Sequence, residues 1–519
     1  MSDMSANAPV FTELAQFTLD RASLRLLPES FCRRNQVAVL GTVDPGAPDT
    51  PVTVGMTQPD NTQVRELMVE FLRRPLLPVR LNPYEIETAL EVGFGAGPRV
   101  TWDVLLTSGM KLSSKPTPVE LVEHVLLSAV EMKASDIHIE SYFDDVDLRY
   151  RVDGILHQSY TDIDPRSVPG VVSRLKVLAG LDITERRRPQ DGRLRAMVER
   201  PEGRKVVDFR VSVVPSPAGE DVVIRILDAS VGLVPVEKLG MSPEMLATFL
   251  QLLSNPEGLV LVTGPTGSGK TTTLYSALAR LNDGLRKIVT AEDPIEYYVP
   301  KVNQKQVTPQ MPYPMLLRAL LRQDPNVMLV GEVRDQETGN MALMAAATGH
   351  VVLGTLHTAD AVGSVARLRG LELDDVDVAD SLLAVLTQRL VRRICEQCVE
   401  DTKPTAEQAA MMGRLLDGVR TRVGRGCAAC HHTGYRGRLG IFELLVVEPD
   451  LQDLIAKGAP TVRLRRHART LGLKTLVEDG LGKVNAGITT VAELVRVVPY
   501  RAIVATRDGR YGSEGEAEA

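Results

Sequence analysis

Apolar and polar positions divide the chain into stretches of different period. From about residue 236 onward, short apolar runs such as Gly258-Leu-Val-Leu-Val-Thr263 alternate with segments of helical composition. Continuous apolar runs separated by helices predict a parallel sheet buried on both faces. Residues 117–230 read differently. They open on the amphipathic stretch Val119-Glu-Leu-Val-Glu-His-Val-Leu-Leu127 and continue with alternating strands, Val146-Asp-Leu-Arg-Tyr-Arg-Val152 and Val206-Val-Asp-Phe-Arg-Val-Ser-Val213. That mixture predicts an α+β domain. Residues 29–110 are mixed, broken by the Pro-rich stretch Asp44-Pro-Gly-Ala-Pro-Asp-Thr-Pro51, and predict a small α/β module. The last residues, Gly512 to Ala519, are small and acidic and are expected to be disordered.

A chain of 519 residues has room for about three or four domains. The net charge of -6 supplies no global basic field, so nucleic acid is a disfavoured partner. No run approaches the roughly 18 apolar residues of a membrane span, and Met1-Ser-Asp-Met-Ser-Ala-Asn7 lacks the regions of a signal peptide. The expected location is cytoplasmic, or peripheral to a membrane through a partner.

Gly264-Pro265-Thr266-Gly267-Ser268-Gly269-Lys270-Thr271 satisfies G-x-x-x-x-G-K-[ST] between a strand and a helix that continues through Thr272. In that context backbone N–H groups and the helix dipole cradle an anion. Residues 264–272 are therefore the candidate ATP site, with Lys270 reaching the outer phosphates and Thr271 placed to hold Mg2+. Downstream, Asp324-Pro-Asn-Val-Met-Leu-Val-Gly-Glu-Val-Arg-Asp335 ends a strand near Glu332, the candidate water-polarising base. Ile288-Val-Thr-Ala-Glu-Asp-Pro-Ile-Glu296 ends another in acids, so Glu292 and Asp293 are candidates to organise Mg2+ or water. Thr348-Gly-His-Val-Val-Leu-Gly-Thr-Leu-His-Thr358 ends a third at His357, a candidate γ-phosphate sensor, whereas His350 reads as structural.

Four of the five cysteines form two C-x-x-C pairs, Cys395/Cys398 and Cys427/Cys430. Four thiolates fill a tetrahedral shell, predicting a structural Zn2+ site that leaves no position for water. The neighbouring His431 and His432 are expected to be exposed, and Cys32 to be a small buried residue.

Thr-Ala-Glu-Asp-Pro-Ile-Glu, Leu-Val-Gly-Glu-Val-Arg-Asp and Thr-Leu-His-Thr resemble the Asp box, Walker B and His box of the secretion ATPase superfamily. Ala134-Ser-Asp-Ile-His-Ile-Glu140, Arg149-Tyr-Arg-Val-Asp-Gly154 and Ala179-Gly-Leu-Asp-Ile-Thr-Glu-Arg-Arg-Arg-Pro-Gln-Asp-Gly192 narrow the resemblance to type II secretion and type IV pilus assembly ATPases. It covers about residues 117–500. It implies a homohexameric ring in which an α+β (PAS-like) domain at 117–230 precedes a RecA-like core at 236–500, with the zinc-bearing segment at 393–440. Segments containing Arg210 and Arg225 are similar to those that supply the family's arginine fingers. The zinc-bearing segment is typical of secretion and assembly motors and is usually lacking in retraction motors. The short module at 29–110 is similar to the domain that docks these ATPases onto a membrane partner. The Arg-Leu-Gly-x-x-Leu pattern tied to cyclic-di-GMP binding in some relatives is not seen there.

Two departures stand out. Thr308-Pro-Gln-Met-Pro-Tyr-Pro314 replaces a Gly-Leu-Thr-Phe element, predicting a stiff, extended segment before a helix that resumes at Met315. Gly331 stands where many P-loop enzymes place an acid, as is usual in the resembled family, which moves the metal-site burden to Thr271, Glu292 and water.

The expected function is a Mg-ATP-driven motor assembling a pseudopilus or pilus at the bacterial inner membrane. Its implied partners are the cytoplasmic domain of an inner-membrane assembly protein and the polytopic platform protein. The short N-terminal region tilts the choice toward secretion. The rival readings are a nucleotide-sensing scaffold without turnover and a RecA-like nucleic-acid translocase.

Overall fold

The computed structural model describes residues 14–44, 46–47, 49–94, 103–108, 112–113, 115–159, 161, 163–200, 203–227 and 233–511. The expectation for Gly512–Ala519 lies outside them. Contacts divide the chain into two units. One comprises Met1–Glu131, Ile139–Val146 and Thr161–Ile224, the other Met132–His138, Asp147–Tyr160 and Arg225–Ala519.

A three-stranded sheet forms near the N-terminus from β1 (Val37–Leu40), β2 (Val52–Met56) and β3 (Leu76–Arg80), in that order. β1 and β2 pair antiparallel, β2 and β3 parallel, and the helix Thr62–Leu72, capped by the Asn61 side chain on Val64 N, makes the crossover. Every residue of β1 is buried. Leu24 and Leu27 lie in the same core as β1, so this module begins before residue 29. Cys32 is fully buried there, and burial pushes its thiol up to about 12.

The strand β4 (Val104–Thr107), placed with that module by the sequence reading, pairs instead with a strand about ninety residues on. Its sheet also contains β5 (Asp136–Ser141), β6 (Val146–Val152), β7 (Ile155–Gln158), β8 (Gln190–Arg200), β9 (Gly203–Ser216) and β10 (Gly219–Leu227), in the order β4-β8-β9-β10-β5-β6-β7. Alternation of buried and half-buried residues along β6 matches the period of a sheet with one covered face.

The third sheet is the predicted parallel one. Its strands are β11 (Gly258–Thr263), β12 (Ile288–Glu292), β13 (Asn303–Gln306), β14 (Val327–Val330), β15 (Val351–Leu356) and β16 (Leu382–Ile394). β17 (Val399–Asp401) and β18 (Arg422–Gly424) form a separate ribbon, and β19 (Tyr435–Val446) closes the large sheet. The order is β13-β12-β14-β15-β11-β16-β19, all parallel except the β16/β19 pair. All residues of β11, β14 and β15 are buried. Their apolar runs pack against helices on two faces, in separate cores containing Leu261 and Val262. Parallel strands send their carboxyl ends to one edge, so the residues following β11, β12, β14 and β15 emerge together. Among the described residues no helix is long and apolar enough to cross a membrane.

Candidate functional site

β11 ends at Thr263, and the next six residues turn into the helix Lys270–Leu281. The turn needs glycine at both ends. Gly264 has φ +146°, and a Cβ there would lie 2.6 Å from the Gln388 carbonyl; Gly269 has φ +88°. Lys270 Nζ donates to the carbonyls of Gly264 (2.9 Å) and Pro265 (3.1 Å). Burial lowers its pKa, with Arg389 adding to the effect and the Glu332 charge opposing it. Ser268 Oγ is buried without a hydrogen-bond partner, a donor left over in the loop.

The loop opens onto a cleft of about 1110 Å3 whose wall includes residues 265–272, Glu292, Asp293, Glu332, His357, Arg389 and Arg225. Glu332 lies two residues beyond β14 and accepts from Arg334 Nη2 at 2.7 Å, with His357 Nε2 3.4 Å away. Burial, then the Lys270 charge, hold His357 below its ordinary pKa, so its neutral form is favoured. Glu292, the last residue of β12, is buried and accepts from Thr290 Oγ1 (2.5 Å), Gln304 Nε2 (3.1 Å) and the Tyr275 hydroxyl. Its carboxylate thus orders the cleft wall as well as facing the cleft. Gly331 has a local cause: a Cβ there would sit 2.7 Å from Tyr313 Oη and 3.1 Å from Ala291 O.

Arg225 reaches the cleft and hydrogen-bonds Asp136 Oδ1 at 3.3 Å, with Arg151 on the same carboxylate at 3.6 Å. Arg210 is not among the cleft-lining residues. It sits on β9 opposite Arg193 of β8, with its Nε buried and unpartnered. His350 is structural in its contacts, its Nδ1 lying 2.9 Å from Ala345 O. The segment 308–314 differs from the expected extended stretch. Thr308 and Met311 bridge in a tight turn, the helix starts at Tyr313, and Pro314 fits in its first turn where no N–H is needed. The turn brings Tyr313 to the cleft.

Two residues of β16 that hold the site together lie outside the sequence motifs. Gln388 Nε2 donates to Ser268 O (2.6 Å) and its Oε1 accepts from Thr273 Oγ1 (2.7 Å), tying the loop and the following helix to β16. Arg389 donates to Ala359 O at 3.0 Å, next to the His357 loop. Burial lowers the Arg389 pKa, with Glu443 and Asp360 opposing.

Cys395, Cys398, Cys427 and Cys430 come together with all sulfurs within 4.8 Å. Neighbouring Sγ atoms are 3.8 Å (395–427), 3.9 Å (398–430) and 3.8 Å (427–430) apart. Zn–S bonds of about 2.3 Å in a tetrahedron give an edge of about 3.8 Å. These separations are far longer than the S–S bond of about 2.05 Å in a disulfide. The N–H groups of Cys427 and Gly434 point at Cys430 Sγ, at 3.2 and 3.3 Å, as they do toward metal thiolates. The donor set fits Zn2+. His431 and His432 are exposed with left-handed backbones (φ 49° and 59°).

Residues 112–496 match the family model described as type II/IV secretion system protein. The chain belongs to that family. Residues 7–96 match the MshEN domain model. Type II secretion system protein E of Pseudomonas aeruginosa is 44% identical over 384 residues, 73% of this chain and 75% of that one. The type IV pilus assembly ATPase PilB of Thermus thermophilus is 42% identical over 73% of this chain but only 44% of its own length. Among solved structures, the pilus retraction motor PilT with bound ADP aligns at TM-score 0.50 and 26% identity, over 72% of this chain and 96% of that one. The fold also resembles the ATPase DotB of Legionella pneumophila, at TM-score 0.56 and 21% identity over 78% and 99% of the two chains. As a secretion-family member with this core, the chain is an ATPase with an α/β architecture.

Proposed function

We propose that this secretion-family ATPase is a hexameric motor that uses Mg-ATP hydrolysis to drive pseudopilus or pilus assembly at the inner membrane. The observation that carries the reading is the convergence of Lys270, Glu332, His357 and Arg225 on one cleft beside a P-loop. Lys270 and the loop amides bind the phosphates. Thr271 would hold Mg2+, with Glu292 and Asp293 ordering its surroundings; when bound, the ion neutralises phosphate charge. Glu332 orients the attacking water, and its neighbour His357 reads the outer phosphate. Arg225 is already at the cleft. Arg210 is assigned to a neighbouring subunit's cleft, where a ring places one protomer's arginine beside another's nucleotide.

Domain movement then follows from differential affinity, because nucleotide that binds a closed arrangement better than an open one shifts the population between them. The N-terminal module is assigned to docking on a cytoplasmic domain of a membrane protein. Membership and the relatives' names support both secretion and pilus assembly. Steady-state ATP hydrolysis across protein concentration, with and without such a partner domain, tests the reading. Activity that rises with assembly and vanishes in Glu332→Gln supports it. A rate equal to that variant under every condition, with nucleotide still bound, identifies a sensing scaffold instead.

A further inference from the structure

The secretion-family match ends at residue 496, yet the chain continues as an ordered element. The helix Tyr500–Arg507 buries Ile503 in the C-terminal core, and Arg507 Nη1 donates to Met411 O at 3.1 Å. Past it, Tyr511 inserts beside two basic side chains of the helix Thr461–Thr470. Arg465 and Arg469 lie 5.9 and 5.8 Å from its ring centroid, within range of a cation–π interaction. Its hydroxyl donates to Glu443 Oε1 at 3.2 Å.

Glu443 is buried in β19, and the same oxygen accepts from Ala361 N at 2.9 Å. Residue 361 belongs to the loop that leaves β15 through His357. Two more contacts fix this loop: Arg465 pairs with Asp360 at 2.8 Å, and Arg389 holds Ala359 O. Tyr511 therefore contacts two of the three anchors of the loop, Glu443 by hydrogen bond and Arg465 by its ring. His357, at the start of the loop, lies 3.4 Å from Glu332.

We infer that the segment 497–511 is a strap, and that Tyr511 is a positioning residue which holds the 357–361 loop, and with it His357, in register with Glu332. It touches neither nucleotide nor reacting atoms. It acts by keeping a buried carboxylate aimed at the loop backbone. An isolated Glu443 accepting one backbone amide would be under-satisfied, whereas the Tyr511 hydroxyl and Leu476 N, at 3.3 Å, complete its shell.

The kinetic arm of the test rests on the ATPase reading above; the exchange arm does not. Tyr511→Phe in the full chain keeps the ring against the arginines and removes only the hydroxyl. One lost buried hydrogen bond corresponds to about fivefold in a local equilibrium. The expected result is about fivefold faster amide exchange across residues 359–364 and a kcat about threefold lower, with KM for ATP and the melting temperature nearly unchanged. A purely structural tyrosine would lower the melting temperature and leave kcat per folded chain intact, which overturns the inference. Faster exchange with unchanged kcat, or lower kcat with unchanged exchange, overturns it equally. Should the unmutated chain turn over no faster than Glu332→Gln, the ATPase reading fails alone. The exchange arm then decides the strap, with unchanged exchange refuting it.

Discussion

The nucleotide cleft and the cysteine cluster are both Gly-bearing loops attached to β16, one beside its middle and the other at its end. Their polar groups are used in opposite ways. In the P-loop, Ser268 Oγ has no partner, and Lys270 rests on two backbone carbonyls at the edge of a large cleft. Around the cysteines, four sulfurs crowd together and nearby N–H groups already point at Cys430. A loop with donors to spare suits a ligand that must come and go. A loop whose donors converge on a closed set of thiolates suits a permanent metal. The difference teaches that openness, and not motif composition, separates the site of turnover from the site of support.

The contrast breaks most visibly at Glu332. Glu332→Gln should lower kcat by about 10²- to 10⁴-fold, leaving zinc content and melting temperature as they were, as metal analysis and calorimetry would show. Next in size is the metal. Cys430→Ser, or chelation, should reduce zinc from one per chain and lower the melting temperature by at least about 4 °C, while the KM of the folded fraction stays put. A changed KM at constant stability would place the cysteines in catalysis.

Gln388→Ala sharpens the comparison from the β16 side. It strips partners from the Ser268 carbonyl and the buried Thr273 hydroxyl, so nucleotide affinity should fall about tenfold with zinc retained. A fluorescent nucleotide titration reads this directly.

The smallest effect is on the pH dependence of stability, and two buried glutamates give it opposite signs. Burial, then the Asp360 charge, push Glu443 up to about 7. Its contribution is complete below the ordinary carboxyl value and is lost as pH rises through about 7. Near the cysteine segment, Glu493 is also buried, but Arg496 and Arg392 together outweigh that and hold it down to about 2. Its contribution is present above the ordinary value and is lost only as pH falls toward about 2. Of the two, only Glu443 changes charge between pH 5.5 and 8, so Glu443→Gln should remove its part of the difference between denaturant midpoints measured there.

The parts of the site contiguous in sequence were legible. The P-loop declares itself in eight residues, and acids ending successive buried strands must share an edge once the sheet is parallel. Gln388 and Arg389 were not found because topology alone brings them to the loop. Their signal was present: Thr387-Gln388-Arg389 interrupts a strand otherwise rich in apolar residues, and buried polar groups demand partners. The strand β4 was misassigned because four residues carry no mark of a partner about ninety positions away. The segment 308–314 was read as extended because its prolines were counted as breakers, whereas Pro314 occupies a first helical turn that tolerates it. Tyr511 lies outside every motif, and only folding reveals its company.

The long strand β16 is also a parity code. Ala384 and Leu386 belong to the core under the P-loop helix, and Gln388 and Leu390 follow on that side, against the loop itself. Val385 belongs to the opposite core, and Arg389 follows it toward the loop that carries His357. Because side chains alternate with a period of two, losing one residue from the strand would exchange the two sets, aiming an arginine at the phosphate loop and a glutamine at the other. Losing two would keep each face its own alphabet. Along Ala384–Leu390 the alternation is unbroken, so only a loss of an even number of residues there keeps both faces, a restriction that no single substitution could expose.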